Sequence, residues 1–323
     1  MGERPRPPLP RPRGSAWRRG RVLAATAVLT GGLLLFHGAV PDSPVRLGSL
    51  LESFLPWLGL VTAVLLALAL LRRSATAALA TLLPLVAWTA HFGALLRPGA
   101  DHERPCGLLV VQHNASDENP DPAGTARALA AAGPDLIALE ELLPPALQAY
   151  EDALAPEFPY HAVRGTVGIW SRHPLTGTRQ IDIRPEGVDG SWNRALRTVV
   201  RTPYGDLAAY VAHLPSVRLG ATGLASARRD ESAGLLGAAL DAEDQDRVLL
   251  LGDLNGTVDD GGLAPLTSRL DGPDRGFAFS FPARLPLARI DQIMAASATV
   301  GPIRTLPATG SDHLPVAARI TPA

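Results

Sequence analysis

Asp253 and Asn255 close the apolar run "LLLGDLN" at residues 249–255. Side chains alternate faces along a strand, so these two are expected to project together while Leu254 turns back inward. A carboxylate at the end of a core strand must find donors or a cation, or give up its charge. The same arrangement recurs along the chain. "VVQHN" ends at Asn114, "DLIALEE" at Glu140 and Glu141, and "AAYVAHL" at His213. "ARIDQIM" carries Asp291 inside an apolar run, and "GSDHLPV" sets Asp312 and His313 just ahead of a strand. Taken singly, most have an ordinary reading as a solvated helix start, a hydrogen-bonded core histidine or a turn. Asp291, set among isoleucines, needs a cation or an N–H partner.

Together the residue types suit metal-assisted hydrolysis of a phosphate ester. Carboxylate and amide oxygens match Mg²⁺ or Mn²⁺, which bind through few protein ligands and keep several waters. A histidine oriented by an aspartate can act as acid, base or phosphate contact. A second aspartate can align the attacking water, and an asparagine can donate to a phosphoryl oxygen. Arg194 and Arg197 in "WNRALRTVV" are candidates to fork onto a substrate phosphate. A zinc site is not indicated, because the chain has no HExxH motif and a single cysteine, Cys106.

Positioning such residues takes alternating strands and helices. Strand patterns are read at "GLLVVQHN", "DLIALEEL", "VGIWSR", "LRTVVRT", "DLAAYVAHL", "RVLLLGDLN", "RIDQIMAA" and "LPVAARI". Helical spacing appears in "PAGTARALAAAG", closed by Gly133-Pro134, and in "GLASARRDESAGLLGAALDA". Residues 107–323 are therefore expected to form one α/β domain with a sizeable core.

The first hundred residues have a different character. Segments 22–40, 54–71 and 75–96 contain no Asp, Glu or Arg and are long enough to cross a bilayer as helices. They predict a three-helix membrane anchor over 22–96, preceded by an Arg/Pro-rich leader at 1–21 and followed by a linker at 97–106. The leader carries seven arginines and the turn between the second and third spans is "RRS", whereas the loop between the first two has one Arg against Asp42 and Glu52. Arginine asymmetry then puts the N-terminus in the cytoplasm and everything after Arg97 outside it, in a multi-pass protein of the cell membrane. Charge follows the same division: residues 1–100 carry a net +8 and residues 101–323 a net −9, with no lysine anywhere.

The polar strand ends, taken in order, resemble the endonuclease/exonuclease/phosphatase superfamily, which includes DNase I, exonuclease III and neutral sphingomyelinases. The matching motifs are "VVQHN", "PDLIALEEL", "WSRHPL", "VAHLPS", "LLLGDLNGT", "RIDQIM" and "SDHLPVAARI". The resemblance implies a DNase I-like four-layer αββα sandwich with two central, mostly antiparallel sheets. It makes Glu141 the metal carboxylate, with Asn114 beside it and Asp312 near the metal. It gives Asp253 the water, Asn255 the phosphoryl oxygen, and Asp291 the orientation of His313, whose ring contacts the scissile phosphate. His213 matches the second histidine of the DNase I and sphingomyelinase branches. Two positions depart from the pattern. Glu140 stands where a glutamine is usual, which is expected to add negative charge near the metal, and Ser116 stands where exonuclease III-like enzymes have Asp. The combination of a three-span anchor and an external domain also resembles the VanJ-type teicoplanin-resistance membrane proteins of actinomycetes.

These readings favour a membrane-anchored phosphohydrolase acting on a lipid-linked phosphate such as undecaprenyl pyrophosphate. A tethered nuclease is the first alternative, disfavoured because nucleic-acid binding relies on basic surface and this domain is acidic. A catalytically silent envelope-binding module is the second.

Overall fold

In the computed structural model, residues 20–42, 46–97, 107–220 and 223–322 are described. The Arg/Pro-rich leader up to residue 19, the linker from residue 98 and Cys106 lie outside the described residues. The chain divides into two compact units, Met1–His37 with Pro56–Phe92, and Gly38–Leu55 with Gly93–Ala323.

The first unit holds three apolar helices, α1 (Arg21–Leu35), α3 (Leu58–Leu71) and α4 (Ala75–Phe92). Small residues set their separation: a Cβ on Gly31 would meet Leu83 at 2.7 Å, and one on Gly59 would meet the Trp88 ring at 2.5 Å. Large apolar side chains face outward, among them Val22, Leu71 and Val86 at 79, 80 and 66 % exposure. Of the three expected spans, α4 alone among the described residues is a single helix long and apolar enough to cross a membrane. The first helix is 15 residues long and ends at Leu35, five short of the expected boundary, in a 3₁₀ turn at His37–Ala39. Helix α3 together with the preceding α2 (Leu47–Ser53) would also qualify, but the pair bends by 64° at the break.

The second unit contains α2 and the α/β fold. Strands β1 (Leu108–Asn114), β2 (Leu136–Glu140), β3 (Tyr160–Arg164), β4 (Val167–Ser171), β12 (Ala298–Val300), β13 (Arg304–Thr305) and β14 (Val316–Pro322) build one sheet in the order β12-β14-β1-β2-β4-β3, with β13 beside β14. The other sheet, in the order β11-β10-β7-β6-β5, comprises β5 (Leu175–Gln180), β6 (Ala195–Thr202), β7 (Gly205–His213), β10 (Val248–Asp253) and β11 (Asp291–Ala296). Strands β8 (Leu219–Gly220) and β9 (Gly223–Leu224) form a small hairpin of their own. Both main sheets are mixed, since β1 runs parallel to β2 and β7 parallel to β10 while the remaining pairs are antiparallel.

Three cores stack through these layers. Leu108, Val110, Leu136, Ala138, Leu249 and Leu251 belong to the core between the two sheets. Helices α5 (Pro122–Ala130) and α6 (Ala146–Leu154) cover the outer face of the first sheet through Leu129, Tyr150 and Leu154. Helices α7 (Ala227–Asp241) and α8 (Ala264–Thr267) cover the second through Leu236, Leu240 and Leu266. The result is the expected order of helix, sheet, sheet and helix. Asp121 caps α5, accepting the Gly124 N–H at 2.8 Å with Pro122 in the first turn, and Gly133 at φ 70° follows its end. Helix α6 and strands β3 and β5 were not legible as patterns; β3 and β5 carry mostly half-buried or exposed residues.

Candidate active site

Parity along the strands builds the site. Residues 108 and 110 of β1, 136 and 138 of β2, 209 and 211 of β7, 249 and 251 of β10, and 293 and 295 of β11 all point between the sheets. Continuing each series by two toward one common end reaches Gln112, Asn114, Glu140, His213, Asp253 and Asp291. Strand register then brings them side by side: Asp253 stands opposite both His213 and Asp291, and Asn114 opposite Glu140. Where the apolar series ends, polar groups fill the mouth of the inter-sheet core.

Asp291 and His313 are the tightest pair, with Oδ2 of Asp291 2.8 Å from Nδ1 of His313. Burial alone would lower the His313 pKa, but the charges of Asp291 and Asp253 reverse that and hold it up at about 10. Burial likewise works against ionisation of Asp291, yet the imidazolium and the bonds from His313, Ser280 and Gln112 hold its pKa below the ordinary value. The second nitrogen of His313, Nε2, faces Asp253 Oδ2 at 3.7 Å. Desolvation dominates at Asp253 and pushes its carboxyl up to about 7, against the pull of His313. Asp253 also accepts from Asn114 Nδ2 at 3.0 Å and from the Asn255 N–H at 2.9 Å.

His213 is fully buried, and burial, with Arg194 beside it, lowers its pKa to about 3. Arg194 Nη1 can only donate, and it lies 3.3 Å from Nδ1 and 3.5 Å from Nε2 of the ring. Nε2 also faces Glu141 and Asp253, each at 3.7 Å. Arg194 itself lies over the Trp192 ring at 5.2 Å.

Two backbone turns depart from strand alternation. Glu141 has φ 60°, just past the end of β2, and this left-handed residue swings its carboxylate away from the face that parity assigns it. The group accepts from Asn114 Nδ2 at 3.2 Å and from the Asp117 N–H at 3.2 Å, and its side chain keeps 28 % exposure. Asn255, at φ 48°, also lies past its strand, so the expectation that it projects with Asp253 as one strand face is corrected. It is placed beside the site by a turn closed on Asp253 Oδ1, and its amide donates to the Leu214 carbonyl at 3.0 Å.

Asn114, Glu141, His213, Asp253, Asn255, Asp291, His313 and Arg194 are thus brought together. Arg197 is not. Its guanidinium forks onto Glu243 at 2.9 and 2.6 Å, and the Tyr210 hydroxyl donates to the same carboxylate at 2.7 Å. It shares parity with Ala195, which packs toward the helix side of the sheet, so Arg197 ties down the chain just beyond α7 rather than reaching the site. Asp312 is exposed, and its charge adds to those that raise the His313 pKa. Glu140 bears on another expectation. It is fully buried, accepts from Gln112 Nε2 at 2.8 Å, and burial together with Asp291 and Asp253 raises its pKa well above the ordinary value. That shift disfavours the extra negative charge expected there.

Several partners escaped the sequence reading. Gln112 bridges Glu140 and Asp291, the latter at 3.1 Å, and was findable as the residue two before Asn114 on the same strand face. Ser311 donates to the Asn114 carbonyl and accepts the His313 N–H, while Phe281 packs on the His313 ring at 4.8 Å between centroids. Only the fold brings these together.

The donor set fits a hard divalent cation. Glu141 offers a half-exposed carboxylate at the rim, backed by Asp253, with oxygen rather than sulfur ligands throughout. The ligand atoms of Asp253, Asp291 and His313 also lie within 4.8 Å of one another. In that buried group, however, Asp291 and His313 spend their facing atoms on each other, so Glu141 is the better metal carboxylate. Asn114 presents amide hydrogens to both carboxylates, since its Oδ1 accepts the Ser116 N–H at 3.0 Å.

The comparisons agree with this geometry. Residues 106–313 match the model of the Endonuclease/Exonuclease/phosphatase family. No curated protein matches the chain. Among solved structures, sphingomyelinase C from Streptomyces griseocarneus aligns at 20 % identity and a TM-score of 0.51, covering 66 % of this chain and 99 % of that one. Staphylococcus aureus beta toxin with bound magnesium ions aligns at 15 % identity and 0.51, covering 66 % and 99 %. An endonuclease/exonuclease/phosphatase from Bacteroides vulgatus aligns at 16 % identity and 0.54, covering 67 % and 99 %. Identities this low speak for the fold alone, but the family match spans well over half of the sequence and contains nearly every residue of the site. The chain belongs to the endonuclease/exonuclease/phosphatase family, whose members hydrolyse phosphoester bonds.

Proposed function

We propose that this protein is a membrane-anchored, divalent-metal-dependent phosphohydrolase that acts on a lipid-linked phosphate outside the cytoplasm. The observation that carries the catalytic half is the Asp291–His313 pair at 2.8 Å, with Asp253 facing its outer nitrogen. In this reading His313, kept protonated by Asp291, donates toward a phosphoryl oxygen. Asp253, with a pKa near 7, takes the proton of the attacking water. Asn255 and Arg194 hold the remaining phosphoryl oxygens. A cation bound at Glu141, Mg²⁺ or Mn²⁺, would neutralise charge on the phosphate.

Support for the membrane half comes from the first unit. Its helices turn large apolar side chains outward, as lipid rather than water favours. Support for the topology comes from the second unit, in which residues 38–55 and 93–323 are packed together. A loop and a domain in one folded body share one side of a bilayer, which an even number of crossings between them satisfies. With three spans and a cytoplasmic leader, that side is the outside.

The substrate we favour is undecaprenyl pyrophosphate, and with it a contribution to teicoplanin resistance. The test is Mg²⁺-dependent release of phosphate from undecaprenyl pyrophosphate by the purified full chain, set beside plasmid cleavage by the same preparation. Phosphate release without nicking is expected; nicking without phosphate release would replace this reading with that of a tethered nuclease. A reporter that works only in the cytoplasm, fused after Ala323, should be silent.

A further inference from the structure

Between the first two apolar helices, the short helix α2 carries residues that hydropathy treats merely as a polar loop. Ser49 and Glu52 are 1 and 4 % exposed. Ser49 donates to Asp260 Oδ2 at 2.6 Å, Glu52 accepts the Gly261 N–H at 2.8 Å, and Arg46 reaches Asp230 at 2.7 Å. At the centre of these contacts sits Arg229 on α7, a guanidinium with 1 % exposure. It donates to Asp230 at 2.7 Å, to Asp260 at 2.7 Å, to Ser49 at 3.2 Å and to the carbonyl of Asn255 at 3.2 Å. A buried arginine on this scale is tolerable only because its fork is satisfied on every side.

The Asn255 contact reaches the site. Residues 254–257 form the turn that follows β10, and bonds hold it from behind and in front. In front, Asn255 bonds to Asp253 and to the Leu214 carbonyl. Behind, Arg229 holds the Asn255 carbonyl, Gln292 donates to the Gly256 carbonyl at 3.1 Å, and Thr257 donates to the Glu52 carbonyl at 3.2 Å. Gly256 leaves the room this needs, since a Cβ there would stand 2.1 Å from the Arg229 guanidinium. Left-handed φ at a non-glycine residue costs energy and persists only where surrounding contacts over-determine it.

We propose that the loop between the first two apolar helices is a working part of the phosphohydrolase domain: the Ser49 side chain, through Arg229, and the backbone carbonyl of Glu52, through Thr257, hold Asn255 in its turn beside Asp253. The proposal rests on the phosphohydrolase reading for its kinetic consequence only, because the docking of α2 is a separate, measurable fact. It gives the membrane-proximal loop a part in building the site and predicts that changes there are felt at the phosphate contact.

The test uses the full chain in detergent with Mg²⁺ and undecaprenyl pyrophosphate, comparing Ser49→Ala and Thr257→Val, which removes the hydroxyl that donates to the Glu52 carbonyl, with the parent in two measurements. Hydrogen exchange should find the amides of residues 50–53 protected in the parent, and those of 253–257 exchanging faster in both variants. Turnover should fall roughly tenfold, the worth of one hydrogen bond to a charged group, with KM unchanged. Rapid exchange of residues 50–53 in the parent would overturn the docking. A lowered melting temperature with unchanged kcat, or unchanged exchange at 253–257, would overturn the positioning role. A parent chain without turnover would strike the phosphohydrolase reading instead, while the exchange at 253–257 would still decide the link.

Discussion

His313 Nδ1 lies 2.8 Å from Asp291 Oδ2, and its Nε2 faces Asp253 Oδ2 at 3.7 Å, so one imidazole is held between two buried carboxylates. The nearer carboxylate orients the ring and raises its pKa; in the proposed mechanism the farther one takes the proton of the attacking water. His313→Ala and Asp291→Asn are each expected to lower turnover by roughly a hundredfold or more, the range of a positioned acid or base. Because the two act as one unit, the double variant should be little worse than either single. Phosphate-release kinetics on the three variants check this, and losses that multiply would show that the pair does not work together.

Glu141 is the rim carboxylate, half-exposed where its neighbours are buried. Glu141→Gln should lose most activity and recover part of it as Mg²⁺ is raised, because a weaker ligand shifts the metal requirement upward. Titrating activity against Mg²⁺ for parent and variant measures the shift. Full activity of the parent in excess chelator would remove the metal from the mechanism.

Arg194 and Arg197 stand three residues apart and are expected to behave differently. Arg194 contacts His213, and its guanidinium feels the charges of Glu141, Asp253 and Asp117. Arg194→Lys keeps the charge but loses the planar fork, so turnover should drop about tenfold with folding unaffected. Arg197→Lys should leave turnover alone and cost about 1–2 kcal/mol of stability, since it breaks a bidentate bond to Glu243. Parallel kinetics and denaturant melts separate the two; a kinetic loss in Arg197→Lys would return that residue to the substrate.

Glu243 also gives the domain an acid limit. Burial would raise its pKa, but the Arg197 fork, the Tyr210 hydroxyl and the Gln245 N–H outweigh it and hold the carboxyl at about 2. A group whose folded pKa is depressed contributes stability in full above its ordinary value of 4.5, and that contribution is lost as pH falls from 4.5 toward 2. Glu243→Gln should therefore melt at lower temperature than the parent at neutral pH, and the gap should close across that acid window. A gap that stays constant with pH would mean the ionised carboxylate is not what Arg197 and Tyr210 recognise.

Local pattern by itself determined much of this protein. Short apolar runs identified β1, β2, β4, β6, β7, β10, β11 and β14, because strands covered by sheet on one face and helix on the other are apolar at most positions, and the polar residues that end each run mark the site. Hydropathy separated the first hundred residues from the rest, because long apolar runs without Asp, Glu or Arg are concentrated there. Tertiary structure decided what depended on leaving the strand. Parity along β2 points Glu140, not Glu141, between the sheets; the left-handed turn at Glu141 exchanges their roles, leaving Glu140 buried with a raised pKa and Glu141 at the rim. Arg194 and Arg197 look alike in sequence, yet one lies just before β6 against His213 and the other faces Glu243. Ser49 and Glu52 read as an ordinary loop until Arg229, 180 positions away from Ser49, is folded against them. Periodicity records which face a residue takes within its own element, whereas pairing between distant buried charges is set only when the elements that carry them pack.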